Sequence, residues 1–272
     1  MKYKLIATDL DGTLLNSDSK LGSRNSDAIS KLTELCVNVV PATGRSYCEI
    51  PDEVKKCDKI RYLIYSNGSV VYDKVSGEKI LFTIKKETAA ELFRLLFAAE
   101  AHLTATHDGQ TFADALDDEI IKYYSVDKTH AEVISQYAGF PDDFRSFVFS
   151  FEDVEVISAY FHSDAERRSC YEKIIANGEL NAIFVGKFGL EIFHKSAGKG
   201  AALRALCDKL GVKRAETIGV GDSSNDLSLL NEAGIGLAVE NAHGLLKSAA
   251  DGVICSNDDG AIAYILKHFY NE

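Results

Sequence analysis

Tyr3-Lys4-Leu5-Ile6-Ala7-Thr8-Asp9-Leu10-Asp11-Gly12-Thr13 opens on a short, mostly apolar run and ends in two carboxylates two residues apart. A run of this length that stops at a polar turn reads as a buried parallel strand. Two further runs repeat the pattern: residues 37–42 lead into Thr43-Gly44-Arg45, and residues 61–65 lead into Ser66-Asn67-Gly68. Between the first two, Ser23 or Ser26 is placed to cap a helix that carries Ile29, Leu32 and Leu35 at helical spacing. Strand and helix alternating in this way predict an α/β fold built on a doubly wound, Rossmann-like parallel sheet.

The alternation then breaks. Residues 70–72 and 79–84 flank Ser76-Gly77 as a hairpin, and residues 88–101 read as a helix with Leu92, Leu95 and Leu96 inward. Short strands at 103–106, 147–151, 156–161 and 182–185, with a helix near 165–176, read as a separate α+β domain. After residues 190–194 the first pattern returns. A helix starts near Lys199 and runs through Leu203, Leu206 and Leu210. A strand at 217–220 meets Gly221-Asp222, a helix runs from near Asn225 to near Gly234, and a last helix ends at Tyr270. The simplest organisation is an α/β core of residues 1–83 and 188–272, interrupted by an α+β insertion of residues 84–187.

Of 272 residues, 46% are hydrophobic and 26% charged, which is ordinary for a globular chain and excludes a disordered one. Thirty Lys and Arg against 41 Asp and Glu leave a formal charge of −11, which disfavours nucleic acid as a partner. No apolar run approaches the roughly 18 residues that span a membrane. The N-terminal segment meets Asp9 too soon for the apolar region of an export signal. Cys36, Cys48, Cys57, Cys170, Cys207 and Cys255 show neither CxxC nor zinc spacing, so a cytoplasmic protein with reduced thiols is expected. Oligomeric state leaves no signature in the chain.

Four segments carry candidate chemistry. In open parallel sheets ligands bind outside the carboxyl ends of the strands, where Asp9 and Asp11 would stand. A carboxylate there can attack phosphorus and form an aspartyl-phosphate, and a second can shuttle the proton. The same residues also suit a plain Asp-Gly turn. Gly221-Asp222-Ser223-Ser224-Asn225-Asp226 sets more carboxylates at another strand end. If the two strands are neighbours, Asp9 and Asp222 repel unless a hard cation such as Mg²⁺ joins them; otherwise Asn225 or Asp226 merely caps a helix. Lys199, inside Ala197-Gly198-Lys199-Gly200, puts a cation at a helix start, against the macrodipole, which suits pairing with an anion or simple solvation. Thr43-Gly44-Arg45 offers a hydroxyl, amides and a guanidinium of the kind that hold phosphate oxygens.

Other motifs fail on spacing. A P-loop would need glycine where Phe193 stands. Ser224 occupies the third glycine position of a dinucleotide loop, and Asn225 the closing glycine of a nucleophile elbow. No histidine pair has HxxxH spacing.

Taken together, Asp-Leu-Asp-Gly-Thr at 9–13, Thr43, Lys199 and Gly-Asp-x-x-Asn-Asp at 221–226, in that order, resemble the haloacid dehalogenase-like superfamily. The insertion, with Ala42-Thr43-Gly44-Arg45, Ser66-Asn67-Gly68 and Gly198-Lys199-Gly200, looks like the cap and signature of its Cof-type (type IIB) phosphatases. The resemblance implies a phosphoric monoester hydrolase with Asp9 as nucleophile and Asp11 as general acid/base. Asp9, the backbone carbonyl of Asp11, and Asp222 would hold Mg²⁺. Thr43 and Lys199 would bind the phosphoryl group, and Asn225 and Asp226 would support the metal and phosphate shell. Gly44, Arg45, Asn67 and Asn225 are expected near substrate. The implied partner is a small phosphorylated metabolite, a sugar phosphate first. A phosphomutase on the same scaffold, or a non-catalytic phosphate- and metal-binding module, shares most of these residues and stays as the alternative.

Overall fold

The computed structural model describes residues 2–270, and within them the chain forms two compact units. The first comprises the chain up to Gly44, Ile50–Leu81 and everything from Gly198 onward; the second comprises Arg45–Glu49 and Phe82–Ala197.

The first unit is built on a parallel sheet with neighbours in the order Gly252–Val253, Ile235–Ala238, Thr217–Gly221, Leu5–Thr8 and Asn38–Pro41. Ala42 bridges in parallel to Ile64, which joins Tyr62–Tyr65 to the far side. Tyr62–Tyr65 then pairs antiparallel with Val70–Asp73, and that strand with Lys79–Leu81. All four residues of Leu5–Thr8 are buried, as a central strand covered on both faces requires. The topology has one decisive property. From Leu5–Thr8 the chain moves to one side, to Asn38–Pro41, whereas Thr217–Gly221 lies on the other side. The sheet order therefore reverses between Leu5–Thr8 and Thr217–Gly221, the position where open α/β sheets form their crevice. Thr8 is level with Val220, so Asp9 and Asp222 both leave the sheet at this switch point.

Helix Ser23–Glu34 begins at Gly22, without a side-chain cap from either serine expected there. The apolar stripe still directs it, with Ala28, Ile29 and Leu32 buried. Asn25, also buried, joins distant segments: its Nδ2 donates to the Leu14 carbonyl and its Oδ1 accepts from the Ile262 amide, at the start of helix Ala261–Tyr270.

A second buried polar device holds the hairpin. Asp73 accepts from Arg61 Nε at 3.0 Å and Nη2 at 2.8 Å, and from the Val75 amide at 3.0 Å. The Arg61 guanidinium holds the Asp73 carboxyl well below the usual carboxylate range. A depressed folded-state pKa gives stability that is present above the unfolded value, near 4, and lost as pH falls toward the folded value. Asp73→Asn is expected to cost about 2 kcal/mol at pH 7, as for a hydrogen-bonded charged group. The gap between variant and parent should narrow at pH 3. Urea denaturation at the two pH values reads this, and a gap that is constant or wider at pH 3 contradicts it.

The second unit carries an antiparallel sheet ordered Leu180–Val185, Gly189–His194, Val156–Tyr160, His102–His107 and Gln110–Ala113. Helices Lys86–Ala98 and Asp164–Ala176 bury Leu92, Phe93, Leu96 and Ile174 with Leu103, Ile157 and Ile192 in one apolar core.

Three sequence expectations change here. Gly189–His194 pairs on both edges with strands of the second unit, so this unit extends to Ala197 rather than to 187. Its start also falls at Phe82, not 84, and Arg45–Glu49 joins it. Residues 147–151 form no strand. Helix Phe144–Val148 occupies part of that stretch, capped by Asp143 accepting from the Ser146 amide, with Phe144 and Val148 four residues apart on its buried side.

All six cysteines are free thiols, and Cys170 and Cys207 are buried as core residues. Among the described residues, no helix is long and apolar enough to cross a membrane.

Candidate active site

Asp9 leaves strand Leu5–Thr8 and is 5% exposed. The turn that follows, Leu10–Leu14, is wide and irregular: Leu14 N–H reaches the Asp9 carbonyl and Leu15 N–H the Leu10 carbonyl. Gly12 takes φ +69, and a side-chain carbon there would stand 2.8 Å from Asp222 Oδ2. Glycine is thus required twice, for the left-handed backbone and for the space that Asp222 fills. The Thr13 hydroxyl donates to Asp222 Oδ1 at 3.1 Å, and the Asn241 side-chain amide to the Gly12 carbonyl at 2.7 Å. These contacts weld the two acidic motifs into one body. Asp11 itself is exposed.

Lys199 opens helix Lys199–Leu210 and is 2% exposed. Its Nζ donates to Asp9 Oδ1 and to Asp226 Oδ1, each at 2.6 Å. The lysine is therefore buried between two carboxylates rather than solvated, which explains a cation at a helix start. Its placement depends on the Ser66-Asn67-Gly68 turn. Gly68 has φ +86, and a side-chain carbon on it would lie 2.3 Å from the Gly198 carbonyl carbon and 2.7 Å from the Lys199 amide nitrogen. Backbone packs on backbone there, and only glycine allows it.

Asp226 is fully buried, and both its oxygens are engaged. Oδ1 takes Lys199, and Oδ2 accepts from the amides of Asp222 and Ser223 at 3.0 Å each. Thr43, 1% exposed, is held by its amide on the Ile64 carbonyl and by its carbonyl on the Asn67 amide. A side-chain carbon on Gly44 would come 2.9 Å from Asn67 Oδ1 and 3.8 Å from Asn225 Nδ2. Thr43, Gly44, Asn67 and Asn225 thus gather in the first unit with the acidic group. Arg45 falls in the second unit, where Nη1 donates to the Glu49 carbonyl at 2.8 Å.

The electrostatics follow from burial. Burial pushes the Asp9 carboxyl well above the usual range, Lys199 opposes that, and Asp226 and Asp222 add to it. Burial also raises Asp222, helped by Asp226. Burial alone would lower Lys199, but Asp9 and Asp226 outweigh it and keep the ammonium above its ordinary value. Three carboxylates against one ammonium leave a formal −2 in a buried site. Asp9, Asp222 and Asp226 bring oxygens within 4.8 Å of one another. An all-oxygen donor set with a deficit of two positive charges fits a hard dication such as Mg²⁺. Asp226 is the least free of the three, because each oxygen already accepts hydrogen bonds.

Two contributors carry no separate role in the sequence reading: Thr13, which aims Asp222, and Gly68, which seats Lys199. Thr13 lies inside the first motif, so its position was visible while its partner was not. Nothing local to Gly68 signals a contact with Gly198.

The family model for haloacid dehalogenase-like hydrolases matches residues 6–266. Phosphatase YwpJ of Bacillus subtilis is 31% identical, over 97% of this chain and 99% of its own. The 5-amino-6-(5-phospho-D-ribitylamino)uracil phosphatase YwtE of the same organism is 28% identical, over 97% and 96%. A solved haloacid dehalogenase-like hydrolase from B. subtilis superposes with a TM-score of 0.81 at 28% identity, covering 98% of this chain and 99% of that one. With the match spanning both acidic motifs and Lys199, the chain belongs to the haloacid dehalogenase-like hydrolases, of the Cof type.

Proposed function

We propose that this protein is a Mg²⁺-dependent phosphatase that hydrolyses a small phosphorylated metabolite through an aspartyl-phosphate on Asp9. The observation that carries the reading is Lys199 Nζ, 2.6 Å from both Asp9 and Asp226 at the switch point of the sheet.

Asp9 attacks phosphorus, and the bond to the leaving alkoxide breaks as Asp11 donates its proton. Water then attacks the aspartyl-phosphate, gives its proton to Asp11, and releases phosphate and free Asp9. Exposure of Asp11 suits a group that exchanges protons with substrate and water. Lys199 orients Asp9 and offsets its charge, and Thr43, Gly44, Asn67 and Asn225 supply donors for the phosphoryl oxygens. Asp9, the Asp11 carbonyl and Asp222 would hold Mg²⁺, with Asp226 behind them; when bound, it supplies positive charge against the phosphoryl oxygens. The names of curated relatives, among them a ribitylaminouracil phosphatase and an HMP-PP phosphatase, support a small phosphate ester as substrate. A phosphate on the hydroxyl of a sugar or polyol is the first choice.

Phosphate release from a panel of phosphorylated sugars, polyols and nucleotides, with Mg²⁺ and with EDTA, tests the reading. Release should require the metal; isomerisation without free phosphate would point to a mutase instead. Metal binding should also stabilise the fold. At about 100 times its Kd, Mg²⁺ is expected to add about 2.7 kcal/mol, and Asp222→Asn should remove most of that gain in thermal unfolding. An equal gain in the variant would contradict the assignment of Asp222.

A further inference from the structure

Gly12 sits where the two acidic motifs meet. It leaves the space that Asp222 fills, but a glycine at φ +69 and ψ +3 does not hold its own peptide plane. The plane that follows it, between Gly12 and Thr13, decides where the Thr13 hydroxyl points, and that hydroxyl aims Asp222. A neighbouring group must therefore fix it.

The loop of residues 239–243, between strand Ile235–Ala238 and helix Gly244–Ala249, supplies that group. Its backbone is tied to the Asp222 motif: Val239 N–H donates to the Gly221 carbonyl at 3.2 Å, and His243 N–H to the Asp222 carbonyl at 2.8 Å. Ala242 N–H closes the loop on the Val239 carbonyl at 3.0 Å, and Glu240 N–H donates to the Cys255 carbonyl at 3.2 Å. One side chain of the loop reaches the turn Leu10–Leu14. Asn241 Nδ2 donates to the Gly12 carbonyl at 2.7 Å, while its Oδ1 accepts from the Asn257 amide at 3.0 Å. Asn257, 7% exposed, donates from Nδ2 to the Leu15 carbonyl at 3.0 Å. All of these residues lie in the first unit. With the Thr13–Asp222 contact they close a ring that runs from Asp222 through His243, Asn241, Gly12 and Thr13 back to Asp222.

We propose that Asn241 is a positioning residue that locks the Gly12–Thr13 peptide and, through Thr13, the aim of Asp222 toward the metal. A carboxamide suits the place because it donates to one partner and accepts from another at once, whereas a carboxylate only accepts. The consequence for Mg²⁺ rests on the proposed phosphatase site; the locked peptide does not.

Asn241→Asp and Asn241→Ala separate this role from a general stabilising one. Aspartate keeps the acceptor for Asn257 and loses the donor to Gly12; alanine loses both. Asn241 is exposed, so neither variant disturbs the core. In the metal-free full chain, amide-nitrogen relaxation dispersion should show microsecond-to-millisecond exchange at Gly12, Thr13 and Leu14 in both variants and none there in the parent. Amides of Thr217–Gly221 should stay quiet in all three. By calorimetry, Mg²⁺ should bind both variants roughly tenfold more weakly, the scale of losing a hydrogen bond that orients a metal ligand. The sign is diagnostic in Asn241→Asp, since an added carboxylate would by charge alone tighten Mg²⁺ binding. Three results would each overturn the proposal: Asn241→Asp binding Mg²⁺ as tightly as the parent or tighter, no exchange at Thr13 in Asn241→Asp, or exchange that extends to Thr217–Gly221. A parent that binds no Mg²⁺ defeats the metal reading, while dispersion still decides whether Asn241 locks the peptide.

Discussion

Asp9→Asn is expected to reduce phosphate release by a factor on the order of 10⁴ or more, the scale seen when a covalent nucleophile is removed. The amide cannot attack phosphorus, and no other carboxylate takes its place: both oxygens of Asp226 are engaged, and Asp222 is held by Thr13. The fold should survive. In the metal-free protein three carboxylates face one ammonium, and burial already holds Asp9 well above its usual range. Neutralising one carboxylate relieves repulsion, and Lys199 keeps Asp226 as partner. The variant should therefore unfold in EDTA at or above the parent's temperature, and gain less from Mg²⁺. Kinetics and thermal unfolding, each with and without the metal, check both halves. A variant with more than about 1% of parental turnover would remove Asp9 from the nucleophile's role.

Lys199→Met should have the opposite signature, with both turnover and stability lost. The side chain is buried and contacts two carboxylates that have few other sources of positive charge. Removing one partner from a buried ion pair typically costs about 3–5 kcal/mol, because the remaining charge stays desolvated. Turnover should fall by roughly 10³-fold, as when a preorganised charge is taken from a developing anion. The stability loss carries a sign in pH. Without the ammonium nothing opposes the effect of burial on Asp9, so its folded-state pKa lies further above the unfolded one. The penalty is then smaller at pH 5 than at pH 8, because above pH about 4 the unfolded chain has lost the Asp9 proton while the folded variant still holds it. Mg²⁺ should restore part of the stability. Lys199→Arg should not rescue turnover, since a planar guanidinium cannot replace a point charge shared at 2.6 Å by two oxygens. Urea denaturation at the two pH values, with and without Mg²⁺, decides the matter. A Lys199→Met protein as stable as the parent at pH 8 would mean that the buried pairing contributes nothing.

Much of this was legible in the chain itself. Apolar runs of four to six residues, each stopped by a polar turn, are local signals, and they mark Leu5–Thr8, Asn38–Pro41, Tyr62–Tyr65 and Thr217–Gly221 as strands. The acidic motifs and Lys199 were visible for the same reason, since each is a short string whose types announce their chemistry. Local signals also mislead. The aromatic and β-branched stretch 147–151 looks extended, but Asp143 caps a helix whose buried pair is four residues apart.

What tertiary structure alone decided is which segments meet. That Asp222 adjoins Gly12 and Thr13, that Lys199 bridges Asp9 and Asp226, and that Gly68 seats Lys199 are contacts between distant parts of the chain. Gly189–His194 and Arg45–Glu49 likewise follow their hydrogen-bond partners into the second unit, not their neighbours in sequence. The physical reason is one of range. Side-chain periodicity and turn chemistry are set within a few residues, so the chain by itself declares its elements and its reactive groups. Strand order, register and the burial of a charge are set by pairing across the fold, and leave no mark on the residues between.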